Sequence, residues 1–226
     1  MIIPEEGQLL LVNKPYQWTS FDVVNKLKYG LRAKKIGHAG TLDPLATGLL
    51  IIGINKFTKK LNEIQGLDKE YVGVFELGKT TPSYDLETAF DSELPIEGIH
   101  EEAIRQAAVA LTGQLSQVPP AHSAIKVDGQ RAYKLARRKQ EVVLKSRQVT
   151  IYEFEIMEIR LPEVQVRISC SKGTYIRSLA HDFGKLLGVG AYLKSLERTR
   201  VGEFLLKDAY QLEELVTLKK KDNEDH

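Results

Sequence analysis

The chain has 226 residues, 42% hydrophobic and 27% charged, with a formal net charge of +2, the composition of a globular protein able to bury a sizeable core. Its single cysteine, Cys170, excludes an intramolecular disulfide framework and a thiolate metal cluster. The longest apolar run, residues 49–54, is broken by Gly53 and too short to span a bilayer, and residues 1–6 lack a signal peptide's basic start and apolar centre, so a cytoplasmic protein is predicted.

In chain order, residues 8–12 read as a short strand and Asn13-Lys14-Pro15 as a turn. Thr19 and Ser20 offer an N-cap, and Phe21, Val24, Leu27 and Leu31 recur at helical spacing, predicting a helix to about Leu31. Residues 37–48 form a turn rich in glycine, threonine and proline around one carboxylate, Asp43, and run into Leu49-Leu50-Ile51-Ile52, a buried strand. Residues 71–77 predict a strand, 80–86 an irregular loop, and 101–111 a helix with acidic residues in its first turn and Gly113 beyond its end. Val118-Pro119-Pro120-Ala121 must be extended. Residues 148–159 predict a strand, and Val164, Val166, Ile168 and Cys170 alternate with polar residues as a half-buried one. After a tight turn at residues 171–174, Ile176, Leu179, Ala180, Phe183, Leu186 and Leu187 line one face of a helix ending at Gly188. This order lacks the rhythm of repeated βαβ units. The predicted class is α+β, a mixed, mainly antiparallel sheet flanked by helices and loops, in a single domain over residues 1–226 with a frayed charged tail from about 219.

Charge is unevenly spread. Residues 62–102 carry eleven Asp/Glu against two Lys/Arg, and residues 126–147 carry eight Lys/Arg against Asp128 and Glu141. That basic stretch, interleaved with Tyr133, suits a phosphate-tracking surface as well as it suits a solvated face. Residues 73–80 satisfy the G-x-x-x-x-G-K-[ST] phosphate-loop pattern, but the intervening residues read as strand and Pro82 opposes a helix there, so the match is coincidental.

Three constellations carry chemistry. Asp43 lies at the edge of a core, which is costly for a carboxylate without a partner or a task; a satisfied loop aspartate is the plainer reading. Tyr71 opens a strand, as ordinary packing aromatics do. Lys172 and Gly173 precede a helix, where free N–H groups favour anions, and Arg177 falls on the face away from Ile176 and Leu179, leaving its guanidinium available for a carboxylate or phosphate. A metal site from His38, Asp43 and His122 fits no common ligand spacing.

Residues 37–48, Gly-His-Ala-Gly-Thr-Leu-Asp-Pro-Leu-Ala-Thr-Gly, closely resemble the active-site signature of the TruB family of tRNA pseudouridine synthases. Residues 170–179, Cys-Ser-Lys-Gly-Thr-Tyr-Ile-Arg-Ser-Leu, resemble its second signature, and residues 118–137 its thumb. The resemblance implies that Asp43 is the catalytic nucleophile, paired with Arg177. It implies that Tyr71 stacks on a flipped base and that Tyr175 and Leu196 line the uridine pocket. A thumb over about 119–147, with Lys126, Arg131, Lys134, Arg137 and Arg138, would clamp the tRNA arm, and His38, Lys14 and Lys172 would also meet RNA. The implied fold is the pseudouridine synthase fold with a central RNA-binding cleft. The implied activity is isomerisation of uridine 55 in the T-loop of tRNA by a monomer, without cofactor or metal. Two departures are local: Gln17 stands where the family has glycine, and Pro82 where many members have aspartate. The stretch after Gly202 is too short for the PUA domain that many members append. A non-catalytic RNA binder and an RNA N-glycosylase using the same carboxylate are the other readings.

Overall fold

The computed structural model describes residues 4–123, 125–127, 129–138, 140 and 142–215, without the side chains of Lys126 and Val127. In chain order the first elements are β1 (Leu9–Lys14), α1 (Ser20–Gly30), β2 (Ile36–Ala39), β3 (Ala46–Ile54), a 3-10 helix (Asn55–Lys60), α2 (Leu61–Gln65) and β4 (Lys69–Leu77). Then come β5 (Lys79–Thr80), β6 (Ser92–Glu93), α3 (Glu101–Ala110), β7 (Gly113–Gln117), β8 (Lys126–Val127), β9 (Gln130–Arg131) and α4 (Ala132–Arg137). The chain closes with β10 (Arg147–Arg160), β11 (Glu163–Cys170), α5 (Ile176–Leu186), β12 (Ala191–Val201), β13 (Phe204–Leu205) and β14 (Tyr210–Gln211). Two compact units result: Met1–Tyr71 with Leu196–His226, and Val72–Ser195.

In the first unit the strand order is β14-β1-β3-β12. β3 pairs antiparallel with β1 along one edge; its other edge is shared by β12, parallel at residues 46–48, and β2, antiparallel at residues 51–54. Both faces of β3 are covered. Leu50, Ile52 and Ile54 pack with Val23, Val24, Leu27 and Leu31, while Leu49 and Ile51 pack with Leu61 and Ile64. Two-sided burial explains why this strand reads as an unbroken apolar run rather than an alternation. α1 starts at the predicted cap: Thr19 accepts from the Asp22 amide and Asp22 accepts from the Thr19 amide, a capping box.

In the second unit the order is β4-β11-β10-β7. The predicted alternation on β11 holds, with Val164, Val166, Ile168 and Cys170 all buried. Phe75, Phe154 and Phe183 form an aromatic cluster with centroids 5.6–6.0 Å apart. Residues 73–77 lie inside β4, so the phosphate-loop pattern has no loop to cradle a phosphate. β12 is not legible in the sequence, because Lys194, Glu197, Arg198 and Arg200 interrupt its apolar alternation. The predicted tail, residues 219–226, lies outside the described residues, as do Asp128, Lys139 and Glu141 of the basic stretch. Among the described residues no helix is long and apolar enough to cross a membrane.

Candidate active site

β2 and β3 form an antiparallel pair, and the loop between them carries Asp43. Asp43 is half-buried, and its carbonyl accepts from the Ala46 amide at 3.1 Å, closing a turn over Pro44 and Leu45. Neighbours hold this loop from several sides. The buried Ser20 hydroxyl donates to the Leu42 carbonyl (3.1 Å) and accepts from the Leu42 amide (2.9 Å). The Gln17 amide donates to the Pro44 carbonyl at 2.9 Å. Gln17 itself sits at φ 65, so the turn keeps the left-handed backbone that a glycine would adopt there.

Lys14, expected to meet RNA, is fully buried at the end of β1. Its ammonium donates to the carbonyls of Trp18 (2.5 Å), Pro15 (2.9 Å) and Pro44 (3.3 Å). Three carbonyls use all three of its N–H groups, so Lys14 braces the loop instead of reaching outward. Burial lowers its pKa to about 8, against the attraction of Asp43. His38 lies half-buried on β2 opposite Ile52; burial, reinforced by the Arg198 charge, holds it below its usual pKa. Arg198 was not anticipated. It reaches from β12 to the Leu49 carbonyl (2.7 Å) and the Gly40 carbonyl (2.9 Å) and is buried. Leu196 is half-buried in register with Ala46, and Tyr71 is buried on β4.

The second unit holds the remaining expected residues. Tyr175 caps α5; its amide donates to Gln117 Oε1 (2.8 Å), its carbonyl accepts from Gln117 Nε2 (3.0 Å), and the Arg147 guanidinium lies over its ring at 4.5 Å. Arg177, expected to have its guanidinium available for a carboxylate or phosphate, meets a carboxylate in the interior. The whole first turn of α5 is enclosed, because Ser178 is tied to the Val118 carbonyl and Gln117 clamps the cap. Arg177 is therefore 2% exposed; its Nε lies 3.6 Å from Asp85, and it donates to the carbonyls of Ser83 (3.2 Å) and His122 (3.1 Å). Asp85 lies in the loop predicted over residues 80–86 and had no role assigned from the sequence.

Lys172 is exposed in the turn before α5. Arg131, Lys134 and Arg138 are exposed around α4, and the backbone of Lys126 pairs with Arg131 across β8 and β9. Arg137 is also exposed, but it is engaged: it pairs with Glu87 at 2.6 Å and packs over the Tyr133 ring.

The model of the TruB family pseudouridylate synthase N-terminal domain matches residues 28–176, and that of the tRNA pseudouridylate synthase B C-terminal domain matches residues 177–226. The chain belongs to the TruB family. TruB relatives named tRNA pseudouridine synthase B include one from Flavobacterium johnsoniae, 54% identical over 214 residues (92% of this chain, 93% of the relative), and one from Parabacteroides distasonis, 49% identical over 215 residues (92% of each). Among solved structures, a chain of a Cbf5–Nop10–Gar1 complex superposes with a TM-score of 0.75 at 30% identity. It is matched over 96% of this chain, which spans 56% of that chain's length. The fold is thus that of the pseudouridine synthases, and the two TruB models meet at Ile176 and Arg177, the first residues of α5.

Proposed function

We propose that the chain isomerises uridine 55 in the T-loop of tRNA to pseudouridine, with Asp43 as the nucleophile. Isomerisation of uridine in tRNA is the activity of the TruB relatives, which match nearly the full chain. The observation that carries the assignment to Asp43 is its mount: a half-buried carboxylate between two paired strands, in a loop braced by the buried Lys14, Ser20 and Arg198. A nucleophile must be aimed, and a loop this constrained aims it.

In the proposed reaction Asp43 acts first and the C1′–N1 bond of the uridine breaks. The uracil turns, C5 joins C1′, the C5 proton leaves to water, and N1 takes up a proton, so that the product is an isomer of the uridine. Tyr71 stacks on the flipped base and Tyr175 and Leu196 line its pocket; a base offers a π-face to such rings. Arg177, seated by Asp85, has a supporting role in catalysis. His38, Lys172 and the basic residues of 126–138 meet the RNA. The T-arm is the part of the tRNA engaged, and the enzyme acts as a monomer.

A tRNA transcript tritiated at uridine C5 tests the reading. Wild-type protein is expected to release tritium to water from a transcript with uridine 55 and not from one with cytidine there. Asp43→Asn is expected to lower the rate by more than about 10³-fold while tRNA binding persists. Retained release by Asp43→Asn sinks the assignment; free uracil in place of pseudouridine would mark an N-glycosylase.

A further inference from the structure

One side chain holds both ends of the Asp43 loop. Arg198 is 1% exposed, and a buried guanidinium is costly unless its N–H groups are met. Two of them are met here by carbonyls that flank the turn. Gly40 follows β2 and accepts from Nη2; Leu49 lies in β3 and accepts from Nε. The approach is close at both places. A Cβ on Gly40 would lie 3.2 Å from Arg198 Nη1, and one on Gly48 would lie 2.5 Å from the Arg198 carbonyl oxygen. Both glycines also take positive φ, 72° and 101°, so the loop leaves and rejoins the sheet through backbone that other residues adopt with strain. The planar guanidinium presents its donors in fixed directions, so it sets the spacing of the two carbonyls, which an ammonium on a flexible stem does not. β12 delivers this fork reproducibly, because Leu196, Glu197 and Arg198 pair in parallel register with Ala46, Thr47 and Gly48.

We propose that Arg198 is a positioning residue for Asp43: by bridging the Gly40 and Leu49 carbonyls it fixes the ends of the loop and hence the aim of the carboxylate between them. The inference rests on the reading of Asp43 as the nucleophile. Arg198 acts through the backbone, so its loss should appear in the chemical step and not in RNA affinity.

Single-turnover isomerisation and tRNA binding measured side by side for Arg198→Met, Arg198→Lys and Asp43→Asn decide it. Both Arg198 variants are expected to bind tRNA within about threefold of wild type. Their rates should fall by about 100-fold for Met and at least about tenfold for Lys, the loss that a misplacement of roughly 1 Å produces. Amide hydrogen exchange should quicken over residues 40–49 and stay unchanged over α3, which separates a loosened loop from a loosened fold. If Arg198→Met does not fold, Arg198→Lys carries the test. A Lys variant isomerising at the wild-type rate overturns the inference, as does a rate loss matched by an equal loss of tRNA binding. An inactive Asp43→Asn beside fully active Arg198 variants removes the positioning role alone, whereas an active Asp43→Asn removes the nucleophile reading and the inference with it.

Discussion

Lys14 illustrates how a charge can be structural. Its ammonium is enclosed and divided among three backbone carbonyls, one of them in the Asp43 loop, and burial holds its pKa at about 8 instead of 10.5. In the unfolded chain the same lysine titrates near 10.5, so between pH 8 and 10.5 the unfolded state binds more protons. Stability contributed at this site therefore rises with pH across that window, and the cost of burying the charge is fully present below about pH 8. The expected outcome is that wild type gains up to about 3 kcal/mol on Lys14→Met between pH 8 and 10.5, read as the difference of their urea-unfolding curves. A constant difference would mean that Lys14 titrates as an exposed lysine. Asp43 itself stood out in the sequence as a lone carboxylate among glycines and threonines at the start of an apolar strand, but only its place in the residue 37–48 signature set it apart from a satisfied loop aspartate. Arg198 was not, since nothing in Leu196-Glu197-Arg198-Thr199-Arg200 says which of its charges turns inward.

At the scale of elements, β3 and β11 were readable because burial writes itself into the spacing of apolar residues, on two faces for one and on one face for the other. The start of α5 was not. Helical periodicity put Arg177 on a free face, yet Gln117, Val118, Ser83 and His122 close around that turn, and their approach depends on segments distant in the chain. The basic stretch around α4 is exposed as expected, but its charges are unequal. Arg137 is already paired with Glu87, whereas Arg131, Lys134 and Arg138 are exposed. Neutralising Lys134 and Arg138 together is expected to flatten the salt dependence of tRNA binding by roughly 0.7–0.9 in slope for each phosphate left without its cation, and neutralising Arg137 by less. Equal slopes for all variants would mean that this face does not meet RNA.

At the scale of the molecule, the first unit is assembled from both ends of the chain. Val201, Leu212 and Leu215 are buried in its core clusters, and β12 brings Leu196 and Arg198 to the strand that follows Asp43. Truncation after Ser195 would remove these side chains, each worth about 2–5 kcal/mol when cut from a core, more than a typical domain can lose. The truncated chain is expected to lack a cooperative thermal transition and near-ultraviolet circular dichroism; a cooperative transition would show that the segment is dispensable. The sequence by itself determined β1, β3, β4, β10 and β11, the helices α1, α3 and α5, the Asp43 turn and the family, because periodicity, caps and contiguous signatures are local properties of the chain. Tertiary structure alone decided that Lys14 faces inward, that Arg177 is seated on Asp85 and that Arg198 ties the loop. A buried cation is stable only where distant carbonyls and carboxylates converge on it, and no local pattern records that convergence.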